Sequence, residues 1–307
     1  MISRSCSGQA KMSEMKNSFQ RTTVKKYQRT RREFLVATGA AGLGTLGLLH
    51  SCHMLQSSYY QSVLAKHPIA YWRLGEVKGP TAFDATVNKH DGAFHGSPTY
   101  HETGGIKHDP DTAIKLDGRG SYIEVPDSKD FSQPTSGQGL TAEAWIRPDV
   151  LVFEGETRDP HIHWLGKGDT EQYEWAFRFY SKESTRPNRI SAYIWNPAGG
   201  LGAGAYFQDV LNPGEWIHVV ACYDPGDETN PTAGVSVYKN GVLRGGASTQ
   251  PGALYREYNV KPAHGSALLR LGTRDLNSFL VGGLDEVAIY PRVLKSAEIL
   301  ENYKSGS

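Results

Sequence analysis

Between residues 69 and 290, short apolar or alternating runs recur, separated by Gly, Pro, Asn or Asp. They cover 69–74, 112–117, 121–125, 140–147, 173–181, 189–195, 204–208, 215–223, 233–239, 242–245, 267–272 and 283–290. Alternation with period two puts successive side chains on opposite faces of a strand, and runs this short between turn residues leave little room for helices. The pattern predicts an all-β body of two antiparallel sheets packed as a sandwich. Its clearest hairpin is Val235–Leu243, where Asn240-Gly241 separates two alternating runs and suits a type I′ turn, which needs positive φ at both central residues. One short helix is expected near the C-terminus, with Ser296 as its cap, Glu298 in its first turn, and Ile299, Leu300 and Tyr303 facing the body.

The chain before this pattern is of another kind. Residues 34–49 (FLVATGAAGLGTLGLL) are uncharged and apolar. The run is shorter than the about 20 residues a membrane span needs, and each of its glycines would cost a helix roughly 1 kcal/mol. Residues 1–32 hold Arg4, Lys11, Lys16, Arg21, Lys25, Lys26, Arg29, Arg31 and Arg32 against the acidic Glu14. Arg31-Arg32, then Phe34-Leu35, then the Gly/Ala-rich run resemble a bacterial twin-arginine export signal, which implies folding before export. Leu49-His50-Ser51-Cys52 resembles a lipobox, with His50 where a small or aliphatic residue is usual, and implies an acylated Cys52. The expected plan is therefore a signal over 1–52, a tether over 53–58 and a sandwich over 59–307. Its destination would be the periplasm, cell envelope or exterior, with the membrane touched only through a lipid on Cys52. Removal of the signal takes Cys6 with it. Cys222 is then the body's thiol, unable to make an internal disulfide and set in the apolar run Ile217–Tyr223 as a small core residue.

Charge narrows the partners. Once the basic leader is set aside, acids outnumber bases in the body. A nucleic-acid binder needs a basic surface to displace counterions, so that class is set aside. Aromatic residues make up 10% and charged residues 21% of the chain, the composition of a packed domain rather than a disordered one.

A family resemblance rests on segments spread over residues 59–304. They are Tyr60–Leu74 (YQSVLAKHPIAYWRL), Ala82-Phe83-Asp84 with His90-Asp91-Gly92, Thr141–Ile146, Glu215–Val220, Val237–Gly241, Gly283–Tyr290 and Leu294–Ile299. In this order they resemble bacterial laminin-G-like domains of the concanavalin A-like lectin/glucanase fold. The resemblance implies a jelly-roll sandwich. It also implies a structural calcium ion shared by Asp84 and Asp285, for which Asn88 offers a further oxygen, since calcium takes six to eight hard oxygen ligands. Thr86-Val87 stands where the family has a small residue and a glycine. His161 and His163, two apart, lack a third ligand for zinc and are expected in a loop or on a rim.

The same fold carries glycosidases, which need two carboxyls flanking the scissile bond. The glucanase pattern Glu-x-Asp-x-x-Glu is absent. Asp169, Glu171 and Glu174 have the charge but not the order, and are expected at a solvated strand end. Strand parity points instead to a ligand face. In 173–181, Tyr173, Trp175, Phe177 and Phe179 alternate with Glu174, Ala176, Arg178 and Tyr180, the second set reading as outward. In 190–195, Ile190, Ala192 and Ile194 read as core, leaving Tyr193 and Trp195 outward, ahead of the Gly-rich loop that starts at Asn196. Arg178, Tyr180, Tyr193, Trp195 and Asn196 are the expected binding residues, because aromatic faces stack on sugar rings while Arg and Asn supply directed hydrogen bonds. The expected function is that of an exported, non-catalytic module that binds carbohydrate or an envelope or extracellular protein. A polysaccharide-cleaving enzyme and a purely structural envelope protein are the alternatives.

Overall fold

The computed structural model describes residues 58–153, 159–169, 171–195, 202–226, 234–246, 253–256, 260 and 262–307. The expected signal, Cys52 and Asn196 lie outside the described residues. The chain opens with α1 (Ser58–Leu64), then β1 (Ala70–Trp72), β2 (Thr81–Ala82), β3 (Gly92–His95), β4 (Thr99–Thr103), β5 (Thr112–Asp117) and β6 (Tyr122–Val125). A 3-10 segment, Lys129–Ser136, leads to β7 (Leu140–Pro148), β8 (His161–Lys167), β9 (Trp175–Tyr180), β10 (Arg189–Ile194) and β11 (Ala203–Gln208). The remainder is β12 (Ile217–Asp224), β13 (Gly234–Lys239), β14 (Val242–Gly245), β15 (Ala253–Arg256), β16 (Leu269–Leu271), β17 (Val281–Tyr290) and α2 (Ser296–Gly306).

These strands form the expected antiparallel sandwich. One sheet runs β14-β13-β12-β7-β17-β5-β4, and β17 gives the second half of its free edge to β1. The other runs β15-β11-β10-β9-β8-β16-β6-β3-β2. Between them lies an apolar core that includes Trp72, Ile146, Trp164, Phe177, Phe179, Ile190 and Leu284. At the β13–β14 hairpin Asn240 and Gly241 have φ of 52° and 76°, the paired positive values of a type I′ turn.

A third layer was not visible in the strand pattern. The helices α1 and α2 pack together over the outer face of the first sheet, and a second cluster of Tyr59, Val63, Trp145, Val220, Cys222, Tyr290 and Ile299 fills the space beneath them. Among the described residues the first element is α1, starting at Ser58. The layer explains why β7 is buried on both faces, including Glu143, whose carboxylate accepts hydrogen bonds from Tyr290 Oη at 2.8 Å and Asn302 Nδ2 at 3.0 Å. Cys222 is buried here, and burial pushes its thiol up to about 12. At α2, Ser296 is the first helical residue and not the cap. Glu298 reaches back instead, accepting from the Lys295 N–H at 2.8 Å and holding Arg292 at 2.7 Å.

Candidate functional site

The outer face of the second sheet is built from β8, β9 and β10. Register places Arg178 beside His163 on one side and Ser191 on the other, and Tyr193 beside Ala176. Trp195 follows β10 on the parity opposite Ile190, Ala192 and Ile194, which are buried, and is itself half-buried. The Arg178 guanidinium lies 5.2 Å from the Tyr193 ring centre and 5.4 Å from that of Trp195. Tyr193 meets Trp195 edge-on at 4.9 Å. Three of the four described members of the expected ligand set, Arg178, Tyr193 and Trp195, therefore share one patch.

Three expectations for this face are corrected. Tyr180 points to this face but is only 3% exposed, because His161 packs on its ring at 5.0 Å and Arg186 bonds its hydroxyl at 3.3 Å. It offers no open ring to a ligand. Tyr173 was expected in the core, yet it is 36% exposed and stacks on Trp195 at 5.2 Å. Its neighbour Glu174, expected outward, is fully buried and paired with the equally buried Lys167 at 2.8 Å. The cause is local: Glu171 adopts φ of 66°, and regular alternation begins only at Trp175. A second cation, Arg274, then joins the patch, 5.0 Å from Tyr173 and 5.4 Å from Trp195. Sequence reading missed it because it sits in a turn far along the chain.

Beneath these groups His163 is the hinge of the charge arrangement. His161 and His163 lie on β8 rather than in a loop, with rings 5.1 Å apart. Arg178 Nε donates to His163 Nε2 at 3.1 Å, so that nitrogen is the acceptor and the neutral ring carries its proton on Nδ1, 2.7 Å from Asp275 Oδ2. Burial, opposed by Asp275, brings the His163 pKa down to about 4. Asp275 is held well below the usual carboxylate range by His163 and Arg274.

The three acids weighed for catalysis do not form a dyad. Asp169 is half exposed and 3.5 Å from Arg270, Glu171 is exposed in the turn, and Glu174 is committed to Lys167. The residues expected to hold calcium do not fit that ion either. Asp84 Oδ1 accepts from the N–H groups of Tyr71 and Thr86, and its Oδ2 accepts from Thr86 Oγ1 and His90 N–H. Asn88 donates to the Ile69 carbonyl. Asp285 turns the other way, accepting from Gly105 N–H at 2.8 Å, and burial pushes its pKa well up. Next to it a guanidinium takes the place of a cation: Arg73 lies 2.7, 3.0 and 2.9 Å from Asp109, Asp111 and Glu286. Among the described residues no group of three His, Cys, Asp or Glu is placed to hold a metal ion.

A family model for laminin-G domains, described as the Concanavalin A-like lectin/glucanases superfamily, matches residues 117–300. The chain belongs to this family. The laminin-G-like domain also resembles solved structures. One is the binding domain of botulinum neurotoxin DC in complex with rat synaptotagmin II, with a TM-score of 0.56, 11% identity and 80% of this chain covered. Another is the same toxin's binding domain in complex with SialylT, at 0.55, 11% and 78%. The laminin-G-like chain spans about half of each, 52% of either length, and at this identity the likeness is one of fold. No curated protein sequence matches it.

Proposed function

We propose that the laminin-G-like domain is an exported, non-catalytic module that recognises acidic carbohydrate at the β8–β10 face. One observation carries the reading. Arg178 spends its Nε–H on His163, and its terminal amino groups make no hydrogen bond among the described residues while the guanidinium is held over Tyr193 and Trp195. A positioned fork of N–H donors framed by aromatic rings suits a carboxylated or sulfated sugar: the fork takes the acid and the rings take the apolar face of the pyranose. Arg274 adds a second positive charge beside the same rings. The fold neighbours are themselves binding domains, captured with a protein and with SialylT, which supports a binding role. Export and a lipid anchor rest on Arg31-Arg32 and on Leu49–Cys52.

The test uses mature protein recovered from the cell envelope, where the mass at Cys52 reads the anchor directly. Binding is then measured by calorimetry against oligogalacturonate and heparin tetrasaccharides. Trp195→Ala and Arg178→Ala should each weaken binding ten- to about a hundredfold, the about 1–3 kcal/mol that aromatic stacking supplies in nucleic-acid systems being the nearest guide. The melting temperature should move little, since both side chains are half-exposed. Unchanged affinity in both variants, or release of reducing ends by the wild type, would reject the reading.

A further inference from the structure

The helical layer leaves a cleft on the opposite side of the molecule. It holds about 560 Å³, within the about 300–1,000 Å³ of small-ligand sites. Its walls come from five places in the chain: the loop between β4 and β5, Trp145 on β7, Trp216 just before β12, Asn240 in the β13–β14 turn, and Tyr303 on α2. Trp216 and Tyr303 are half-buried, so their rings combine a fixed position with an open surface. Tyr303 is held by stacking on Trp145 at 5.9 Å and on His218 at 6.1 Å. Trp216 is held by the Arg147 guanidinium at 5.3 Å and by contact with Gly283, where a Cβ would come within 2.6 Å of the indole. The floor is backbone. Gly105 lies so close over Trp145 that a Cβ there would meet the ring at 3.0–3.2 Å.

The charge of this cleft is opposite to that of the β8–β10 face. Asp109, Asp111 and Glu215 line it, with Lys107 as the basic counterpart. Arg73 is already committed to Asp109, Asp111 and Glu286. Carboxylates and amides accept from sugar hydroxyls, but they repel acidic sugars. We infer that the cleft is a second ligand site, specific for an uncharged saccharide that stacks on Trp216 and Tyr303. The domain then carries two sugar sites on the outer faces of its two sheets, of opposite charge preference.

The inference stands on the cleft alone and is separable from the β8–β10 reading. The probes are four neutral tetrasaccharides (cellotetraose, laminaritetraose, mannotetraose and N-acetylchitotetraose) with a heparin tetrasaccharide as the acidic counterpart. At least one neutral probe should bind, and Trp216→Ala should weaken it tenfold or more while Trp216→Phe retains most of the affinity. Trp195→Ala, on the other sheet, should leave neutral binding unchanged. If Trp216→Ala fails to fold, the indole N–H resonance of Trp216, assigned by its disappearance in Trp216→Phe, reads the same contact in the wild type. It should shift with the neutral probe and stay fixed with heparin. No binding of any neutral probe, a neutral probe that needs Trp195 instead of Trp216, or a Trp216 signal that moves only with heparin would overturn the second site.

Discussion

At the scale of single residues, position in a hydrogen-bond chain decides protonation. His163 accepts from Arg178 and faces Asp275, and burial outweighs that carboxylate in holding the ring neutral down to about pH 4. In the unfolded chain the same histidine takes its proton near 6.5. The unfolded state therefore binds more protons between these values, and the stability contributed by this group is complete above pH 6.5 and declines as pH falls toward 4. Replacing His163 by Gln keeps an acceptor for Arg178 and removes the titration. The melting temperature of His163→Gln should lose less between pH 7 and 4.5 than that of the wild type, measured by scanning calorimetry. Parallel pH profiles would mean that His163 protonates without cost in the fold. Part of this was legible beforehand. Arg178, Tyr193 and Trp195 alternate strictly with core residues, so parity alone placed them on one face. Tyr173 and Glu174 were misplaced because their orientation follows from a left-handed residue at Glu171, and a positive φ at glutamate has no sequence signal.

At the scale of elements, the β8–β9 pair ends in a buried ion pair rather than a solvated one. Lys167 Nζ lies 2.8 Å from both Glu174 Oε1 and Asp127 Oδ1 and donates to the Ala267 carbonyl at 3.0 Å. Lysine and glutamate are fully desolvated there, and removing one partner leaves the other charge in the core. Such a loss costs about 3–5 kcal/mol, while replacing both by apolar groups is often neutral. Lys167→Met should therefore unfold at markedly lower urea than the wild type, and Lys167→Met with Glu174→Leu should recover most of the difference. A double variant as unstable as the single would show that Asp127 and the Ala267 carbonyl, not Glu174, are what Lys167 serves. Sequence reading found the strands but not this pair. An acid and a lysine near strand ends read as solvent-facing until the loop carrying Gly265 and Ala267 is known to close over them. The missed strands share a cause. β2, β3, β4 and β15 are short or mostly polar, and β8 carries two histidines and a bulge that interrupts its alternation.

At the scale of the molecule, the sandwich was readable because both sheets have one face in a common core, which imposes period two on most strands. Of the helical layer α2 was read from the sequence, but α1 was not, since it is seven residues long and stable only through packing on α2 and the first sheet. The cleft was invisible because its walls come from five separated segments. That layer also bears on the calcium expected from the family resemblance. Asp84 bridges to Trp72 at the end of β1, whereas Asp285 lies on β17 opposite Trp145, and each is already satisfied: one by the Tyr71 N–H and three donors of its own loop, the other by Gly105. The cation beside Asp285 is Arg73, which belongs to the chain. An ion bound only by the folded state would add about 2.7 kcal/mol at one hundred times its dissociation constant, or roughly 5–10 °C for a domain of this size. With no open carboxylate pair to hold it among the described residues, the melting temperature should be the same in millimolar calcium and in excess chelator. Arg73→Met should fall well below the wild type in either buffer, because Asp109, Asp111 and Glu286 would lose their common partner. A rise of several degrees with calcium in the wild type would place an ion in this domain after all, and a rise confined to Arg73→Met would show that the arginine stands where the metal binds.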